Sequence, residues 1–341
     1  MEIKIMTKNQ SEISVSALAE LPNDLSLIKS GKEKHYLKQA TADNTRRAYQ
    51  TAIKQYEQWG GLIPADEAQI ARYLTDQAQH LKPTTLSLHL TALSQYHRYL
   101  NLPDPTQSPY IRKLLKGIQR EHGQLKRKAK ALRAQDIETL ISYLNLSPTQ
   151  EKNPETNLKA IRDAALIQVA YFGALRRSEL VSIEVSNLKF ESEGLLLLIP
   201  KSKTDPTRKG MIKALPYGNT TICPVKSLKR WLETSQITEG FVFRSINRWG
   251  QLQDKALHPD SINLIMKSLA QVCQLDCIDL ISSHSLRRGF ATSAARAGAD
   301  FMAIKKQGGW QNDHTVREYI EEGQCFEDNA ARTLLETEFK S

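Results

Sequence analysis

The sequence has no hydrophobic run long enough to cross a bilayer. Its longest continuous apolar stretch, Leu195 to Ile199, is far shorter than the roughly 20 residues a spanning helix needs. Met1 to Gln10 lacks the apolar centre of a signal peptide, so a soluble, cytoplasmic protein is expected, with no membrane partner. Cysteine is scarce: Cys223, Cys273, Cys277 and Cys325 are the only four in 341 residues, and none forms a CxxC pair. That excludes a disulfide framework and fits a reducing compartment. Cys273 and Cys277 stand at i, i+4 on a predicted helix, a spacing that could offer two metal ligands. No second pair accompanies them, so they are read as buried structural thiols. Also missing are a GxxxxGK(S/T) phosphate loop, an HNH-like arrangement and a carboxylate cluster of the metal-dependent nuclease kind. Internal repeats and low-complexity tracts are absent as well. What the chain has in excess is positive charge: 47 Lys and Arg against 37 Asp and Glu, a net +10. Counterion release makes nucleic acid the natural partner of such a chain, ahead of an anionic membrane.

The length suits two domains, each with its own core. Residues 1 to 38 show no strong period and read as an N-terminal extension. From Asn44 the apolar residues Tyr49, Ile53 and Tyr56 recur at helical spacing. Gly60-Gly61 is the stop, and Asp66 caps a second helix carrying Ile70, Tyr73 and Leu74. A third begins after Pro83 with Leu86, Leu90, Leu93 and His97 on one face; a fourth begins at Ser108-Pro109, a cap followed by a proline suited to N1. The first half therefore reads as a four-helix bundle. Between Ile111 and Arg133 there are nine basic residues (Arg112, Lys113, Lys116, Arg120, Lys126, Arg127, Lys128, Lys130, Arg133) against one acid, Glu121. By composition such a run is as readily a solvated face as a phosphate-binding linker; its place between two domains favours the linker. The second half opens with helical patterns at Asp136 to Leu144 and Leu158 to Phe172. The short runs Leu188 to Phe190, Leu195 to Pro200 and Met211 to Leu215 then predict a small antiparallel sheet. Helices are expected from Pro224 to near the end.

Breaking a phosphodiester needs a nucleophile, a proton donor for the leaving oxygen, and cations around the phosphoryl charge. Four stretches offer such groups, and each taken singly has a plainer structural explanation. In Gly173-Ala174-Leu175-Arg176-Arg177-Ser178-Glu179-Leu180, Gly173 can end one helix and Arg176 can open the next, where a guanidinium can fork onto two phosphate oxygens; alone this is a glycine stop before a surface helix. Lys201-Ser202-Lys203-Thr204-Asp205 follows Pro200 at a predicted hairpin turn, where Lys203 could protonate a leaving oxygen, though turns are commonly charged. His284 and Arg287 lie at i, i+3 on a helix opened by Ser282 or Ser283 and could reach one phosphate near its N-terminus, a spacing common by chance. Gly308-Gly309 permits close backbone approach, Trp310 offers an indole donor, and Tyr319, nine positions on, offers a hydroxyl; such aromatics are more often core.

Taken together and in order, Arg176, Lys203, His284, Arg287, Trp310 and Tyr319 resemble the tyrosine recombinase (phage integrase) family, from about residue 40 to the end of the chain. The resemblance implies a mainly α protein with a small antiparallel β-sheet, folded as a two-domain C-shaped clamp. It would comprise a helical, SAM-like core-binding domain at 39–120, a basic linker at 121–133, and a catalytic domain at 134–341 ending in a docking helix. By it, Arg176 and Arg287 clamp the scissile phosphate, Lys203 is the general acid, His284 assists proton transfer, and Glu179 buttresses the site. Tyr319 forms a 3′-phosphotyrosyl link with release of a 5′ hydroxyl. Trp310 stands where many members have histidine. Arg46, Arg47, Thr84, His89, Lys113, Arg120, Lys126, Arg127, Lys128, Lys130, Lys201 and Arg288 are the implied DNA contacts. The implied substrate is double-stranded DNA with short inverted-repeat sites, bound by a dimer per site and a tetramer in synapsis, with strands exchanged through a Holliday junction. The implied setting is the nucleoid, with no cofactor, metal or ATP. Two departures are visible: leucine-glycine-histidine reads Gly308-Gly309-Trp310, and Arg288 stands where histidine is frequent. A separate arm-binding domain is not expected within the first 40 or so residues. Ala330-Ala331, Leu334-Leu335 and Phe339 form a short amphipathic tail suited to a neighbouring subunit or to its own domain. A non-catalytic DNA-binding relative, a type IB topoisomerase and a metal-dependent nuclease are the competing classes.

Overall fold

A computed structural model describes residues 35–36, 40–124, 127–150, 154–200, 210–218, 222–326 and 329–338, without the side chains of 147–150 and 154–157. Nearly all of the expected N-terminal extension lies outside them, as do Lys126, Lys201, Lys203 and Phe339. The chain divides between residues 126 and 127 into two compact units.

In the first unit, α1 (Asp43–Trp59), α2 (Glu67–Gln77), α3 (Pro83–Tyr99) and α4 (Pro109–His122) begin and end where local chemistry directs. Gly60 closes α1 in the left-handed conformation, at φ 102°. The Asp66 carboxylate accepts from the Gln69 amide at 2.7 Å, and Ser108 caps α4 ahead of Pro109. Ile53, Tyr56, Ile70, Tyr73, Leu74, Leu86, Leu93 and Ile111 bury their side chains in one core. His97 lies within it with both ring nitrogens used. Nε2 accepts from the Ala65 amide at 3.0 Å, so Nδ1 carries the proton donated to the Leu93 carbonyl at 2.8 Å.

His89 corrects an expectation. Proposed from the sequence as a DNA contact, it is 3% exposed, and its Nδ1 lies 2.6 Å from the Tyr73 hydroxyl. Position i+3 from Leu86 puts it on the apolar face, and burial lowers its pKa.

In the second unit, α5 (Ala134–Gln150) and α6 (Pro154–Phe172) precede a short α7 (Arg177–Val181). Strands β1 (Leu188–Phe190), β2 (Gly194–Ile199) and β3 (Met211–Pro216) form an antiparallel sheet in sequence order. Alternation along β2 buries Leu195, Leu197 and Ile199 while Leu198 faces out. After α8 (Pro224–Ser235) comes a hairpin of β4 (Arg244–Ile246) and β5 (Leu252–Ala256), inside a stretch expected to be helical. Its strands are short and none of their residues is fully buried, so hydrophobic periodicity left little trace of them. Then follow α9 (Pro259–Val272), α10 (Ser283–Arg296), α11 (Phe301–Gly308), α12 (Asp313–Gln324) and α13 (Ala330–Glu338).

Helix α10 is approached at backbone distance on two sides. A Cβ on Gly289 would lie 1.8 Å from the Leu132 carbonyl oxygen, and one on Gly323 of α12 would lie 2.7 Å from that of Thr292. The segment touching Gly289 carries the second part of the basic run. Lys130 and Leu132 donate their amides to the carbonyls of Leu280 and Ser285 at 2.9 and 3.1 Å, and Ala131 and Leu132 are buried. Residues 128–132 are thus built into the second unit rather than strung out as a linker. The cysteine expectation also fails: α9 stops at Val272, so Cys273 and Cys277 share no helical face. Cys277 is exposed, whereas Cys223 is buried. Among the described residues no helix is long and apolar enough to cross a membrane.

The buried His89 supplies a pH test. A histidine whose folded pKa is lowered contributes stability above its unfolded value, 6.5, that is lost as pH falls through it. The unfolding midpoint of the wild type is expected to drop between about pH 7 and pH 5, and His89→Gln to flatten that slope, measured by thermal denaturation across pH.

Candidate active site

Helix α6 ends at Phe172, and the chain turns back through Gly173 and Ala174. The left-handed residue there is Ala174, at φ 46°, not the glycine. Gly173 is required by space, since a Cβ would lie 2.7 Å from the Val169 carbonyl oxygen. The turn sets Arg176 at the N-cap of α7. Glu179, 3% exposed, accepts the Arg176 amide at 2.9 Å on Oε2 and its guanidinium at 2.6 Å on Oε1. One buried carboxylate thereby caps the helix and aims the arginine.

Ser282 caps α10, with the Ser285 hydroxyl accepting its amide at 3.0 Å. His284 stands exposed in the first turn. Arg287, one turn on, is 4% exposed: it donates Nη1 to the Ala174 carbonyl and lies over the Trp310 ring, 4.3 Å from its centroid. Its Nη2 is buried and meets no hydrogen-bond partner among the described residues. Burial, followed by the nearby Arg176 charge, lowers its pKa to about 10, against Glu179 and Tyr319. It stays cationic at neutral pH, with one donor unmet, and that combination calls for an anion.

Trp310 is held by the two glycines preceding it. A Cβ on Gly308 would lie 1.7 Å from the indole Cζ3, and Gly309, at φ 64°, would meet Met211 Cε at 2.6 Å. The Tyr319 ring on α12 packs edge-on against the indole, with centroids 5.8 Å apart at 65°. Tyr319 is half-buried; burial raises its pKa while Arg288 and Arg287 pull it down. Arg288, expected to reach DNA, is 9% exposed and turned inward. Glu322 takes its Nε at 3.0 Å and the Ala129 carbonyl its Nη1 at 2.9 Å. It is an internal brace whose charge lies 5.7 Å from the Tyr319 ring centroid.

Arg176, Glu179, Arg287, Trp310 and Tyr319 thus come together, with His284 at the start of the helix that carries Arg287. Lys201 and Lys203 fall between β2 and β3, outside the described residues. Sequence reasoning missed Lys213 of β3, which is 3% exposed and donates to the Gln307 carbonyl. Burial, then Arg287 and Arg176, lower its pKa to about 7, with Glu179 opposing. The available signal was the period of two, which puts Lys213 on the same face of β3 as the buried Leu215. Of the other expected DNA contacts, Arg47, Thr84, Lys113, Arg120, Arg127 and Lys128 are exposed. Arg46 pairs with Asp43, Lys128 with Glu318 at 3.5 Å, and Lys130 donates to the Asp276 carbonyl at 3.0 Å. No group of His, Cys, Asp or Glu among the described residues could hold a metal ion with three or more ligands.

The phage integrase family matches residues 108–324. An integrase/recombinase xerD homolog of Selenomonas ruminantium is 34% identical over 343 aligned residues, covering 98% of this chain and 97% of that protein. The recombinase cre of Escherichia phage P1 is 27% identical over 307, covering 83% and 85%. Among solved structures, XerH site-specific recombinase bound to a palindromic difH substrate superposes with a TM-score of 0.61 at 18% identity, covering 87% of this chain and 80% of that one. A lambda integrase dimer on a core site gives 0.55 at 15%, covering 87% and 77%. These two likenesses are of fold.

Gly308→Ala forces a methyl group into the indole and is expected to cost about 1–3 kcal/mol through overpacking, read by chemical denaturation. Gly117→Ala, where nothing lies within 4 Å of the new methyl, is the control and is expected to leave stability unharmed.

Proposed function

Because the chain belongs to the phage integrase family, we propose that the partly exposed Arg176 and the buried Arg287 are the seat of the scissile phosphate and Tyr319 the nucleophile. The protein is a tyrosine-type site-specific DNA recombinase, an enzyme that breaks and rejoins DNA strands. The observation that carries the residue roles is the unmet Nη2 of the buried Arg287, beside Arg176 and one ring contact from Tyr319.

In this reading the Tyr319 oxygen attacks phosphorus and the bond to the 5′ oxygen breaks. Lys203 protonates that oxygen, and Tyr319 is left joined to the 3′ phosphate. Arg176 and Arg287 neutralise the charge of the pentavalent transition state. Glu179 keeps Arg176 in place, while Trp310 supports Arg287 from below and Tyr319 from the side. His284 assists proton transfer from the first turn of α10. Tyr319 begins as the neutral phenol, since burial raises its pKa, and it passes its proton to the His284 imidazole as it attacks. In the second step a 5′ hydroxyl of the partner strand attacks the phosphotyrosyl phosphorus and releases the tyrosine. The number of phosphate ester bonds is unchanged throughout, so no ATP is consumed.

Exposed Arg47, Thr84, Lys113, Arg120 and Arg127, with Lys201 and Lys126, are the proposed DNA contacts, in keeping with the net charge. The sites are proposed to be short inverted repeats occupied by a dimer, two of which pair as a tetramer to exchange strands through a Holliday junction. Helix α13 supports this: Leu334 and Leu335 are 52% and 61% exposed, a face suited to a neighbouring subunit. The nucleoid is the proposed place of action.

Incubating the protein with fragmented source DNA in EDTA, denaturing it and sequencing what stays attached tests the assignment. The wild type is expected to retain DNA from one sequence. Tyr319→Phe is expected to bind that sequence equally and retain none; an adduct on the Phe variant would remove the tyrosine from the mechanism. Lys203→Ala is expected to slow cleavage by about 10²-fold or more. A 5′-thio leaving group, which needs little protonation, is expected to restore most of the rate; without rescue, Lys203 is not the acid.

A further inference from the structure

Lys213 is a buried cation for which the mechanism above has no use. It lies on the inward face of β3 and donates to the main-chain carbonyl of Gln307. The side chain of Gln307 returns the link: its Nε2 donates to the Phe172 carbonyl at 2.8 Å and to the Ala214 carbonyl at 3.1 Å. These bonds join three stretches that are remote in sequence. One is the end of α6, from which the chain turns to Arg176. The second is β3, the strand that follows Lys203 in the sequence. The third is the Gly308-Gly309-Trp310 turn, whose indole supports Arg287. Met211, two residues before Lys213, fills the space above Gly309.

Burying an ammonium is costly, and a structural tie between a strand and a turn needs no charge. The ionised groups acting on Lys213 are Glu179 and Arg176 around α7 and Arg287 of α10, two cations against one anion. An apolar side chain would escape that repulsion. A lysine there is well placed to respond when an anion arrives between the arginines. A phosphate offsets their charge, favours the protonated amine, and so strengthens its hydrogen bond to Gln307, since charge-assisted bonds are roughly twice as strong as neutral ones.

We propose that Lys213 is a positioning residue for strand cleavage, tying β3 to the Gln307 carbonyl so that the Trp310 turn and Arg287 are held in register when phosphate occupies the site. The tie is firmest in the phosphate-bound enzyme. Lys213 acts through Gln307 and Trp310 and does not itself touch the reacting atoms. The inference rests on the proposed roles of Arg287 and Tyr319, and the depressed pKa of Lys213, about 7, supports it.

The test uses the full chain and a nicked DNA duplex bearing the sequence captured by the wild-type protein. Lys213→Met removes the donor, whereas Lys213→Gln keeps a neutral one. Lys213→Met is expected to form adduct at least about tenfold more slowly, equivalent to about 1.4 kcal/mol in the barrier, while binding the duplex within about twofold. Lys213→Gln is expected to recover part of that rate. The ratio of wild-type to Lys213→Gln rates is expected to fall as pH rises from about 6 to 9, as the wild-type amine loses its proton. Other titrating groups cancel in this ratio. The inference is overturned if Lys213→Met cleaves within about twofold of wild type, if the ratio does not change with pH, or if cleavage, binding and unfolding midpoint decline together in both variants. Failure of the wild type itself to form an adduct would instead strike at Tyr319.

Discussion

A buried guanidinium, that of Arg287, and a partly exposed one, that of Arg176, repel each other, and much of the second unit's local structure answers that repulsion. Glu179 lies at the centre. A single buried carboxylate takes the amide and the guanidinium of Arg176 and also offsets the charge on Arg287 and Lys213. Even so the balance remains positive, and Arg287 retains an unmet donor. The site is electrostatically incomplete in the way an anion would complete it.

Holding that arrangement requires backbone closeness. Helix α10 carries Arg287 and is fixed on one side by the Leu132 segment against Gly289 and on another by Gly323 of α12. The same α12 carries Tyr319, so the proposed nucleophile and Arg287 stand on two helices held in close backbone contact. Trp310 occupies the remaining side, against the Arg287 guanidinium and the Tyr319 ring, and only glycine at 308 leaves room for its indole. The internal turn of Arg288 toward Glu322 belongs to the same scaffold: it supplies positive potential near Tyr319 without leaving that charge unpaired.

Much of this was legible in the residues themselves. Helix stops and caps at Gly60, Asp66, Pro83 and Ser108 are local events, governed by backbone freedom and side-chain reach over three or four residues, and the structure places them as expected. The antiparallel sheet announced itself through apolar runs, and the helix opened by Ser282 through its cap. The polar β4–β5 hairpin did not, because its strands bury little. Nor could spacing distinguish the end of α9 before Cys273 from a helix running on to Cys277.

The sequence by itself determined the chemical inventory: an excess of cations suited to DNA, two arginines, a histidine and a tyrosine in an order that marks the family, and the glycines that permit close approach. Local rules suffice for these. Tertiary structure alone decided which cations are available and which are consumed within the fold. It sent His89 into a core, Arg288 to a carboxylate, and residues 128–132 onto α10. It also brought Lys213 beside arginines 37 and 74 positions away in sequence. Burial and ion pairing depend on neighbours that meet only when the chain has folded, so no local pattern could reveal them.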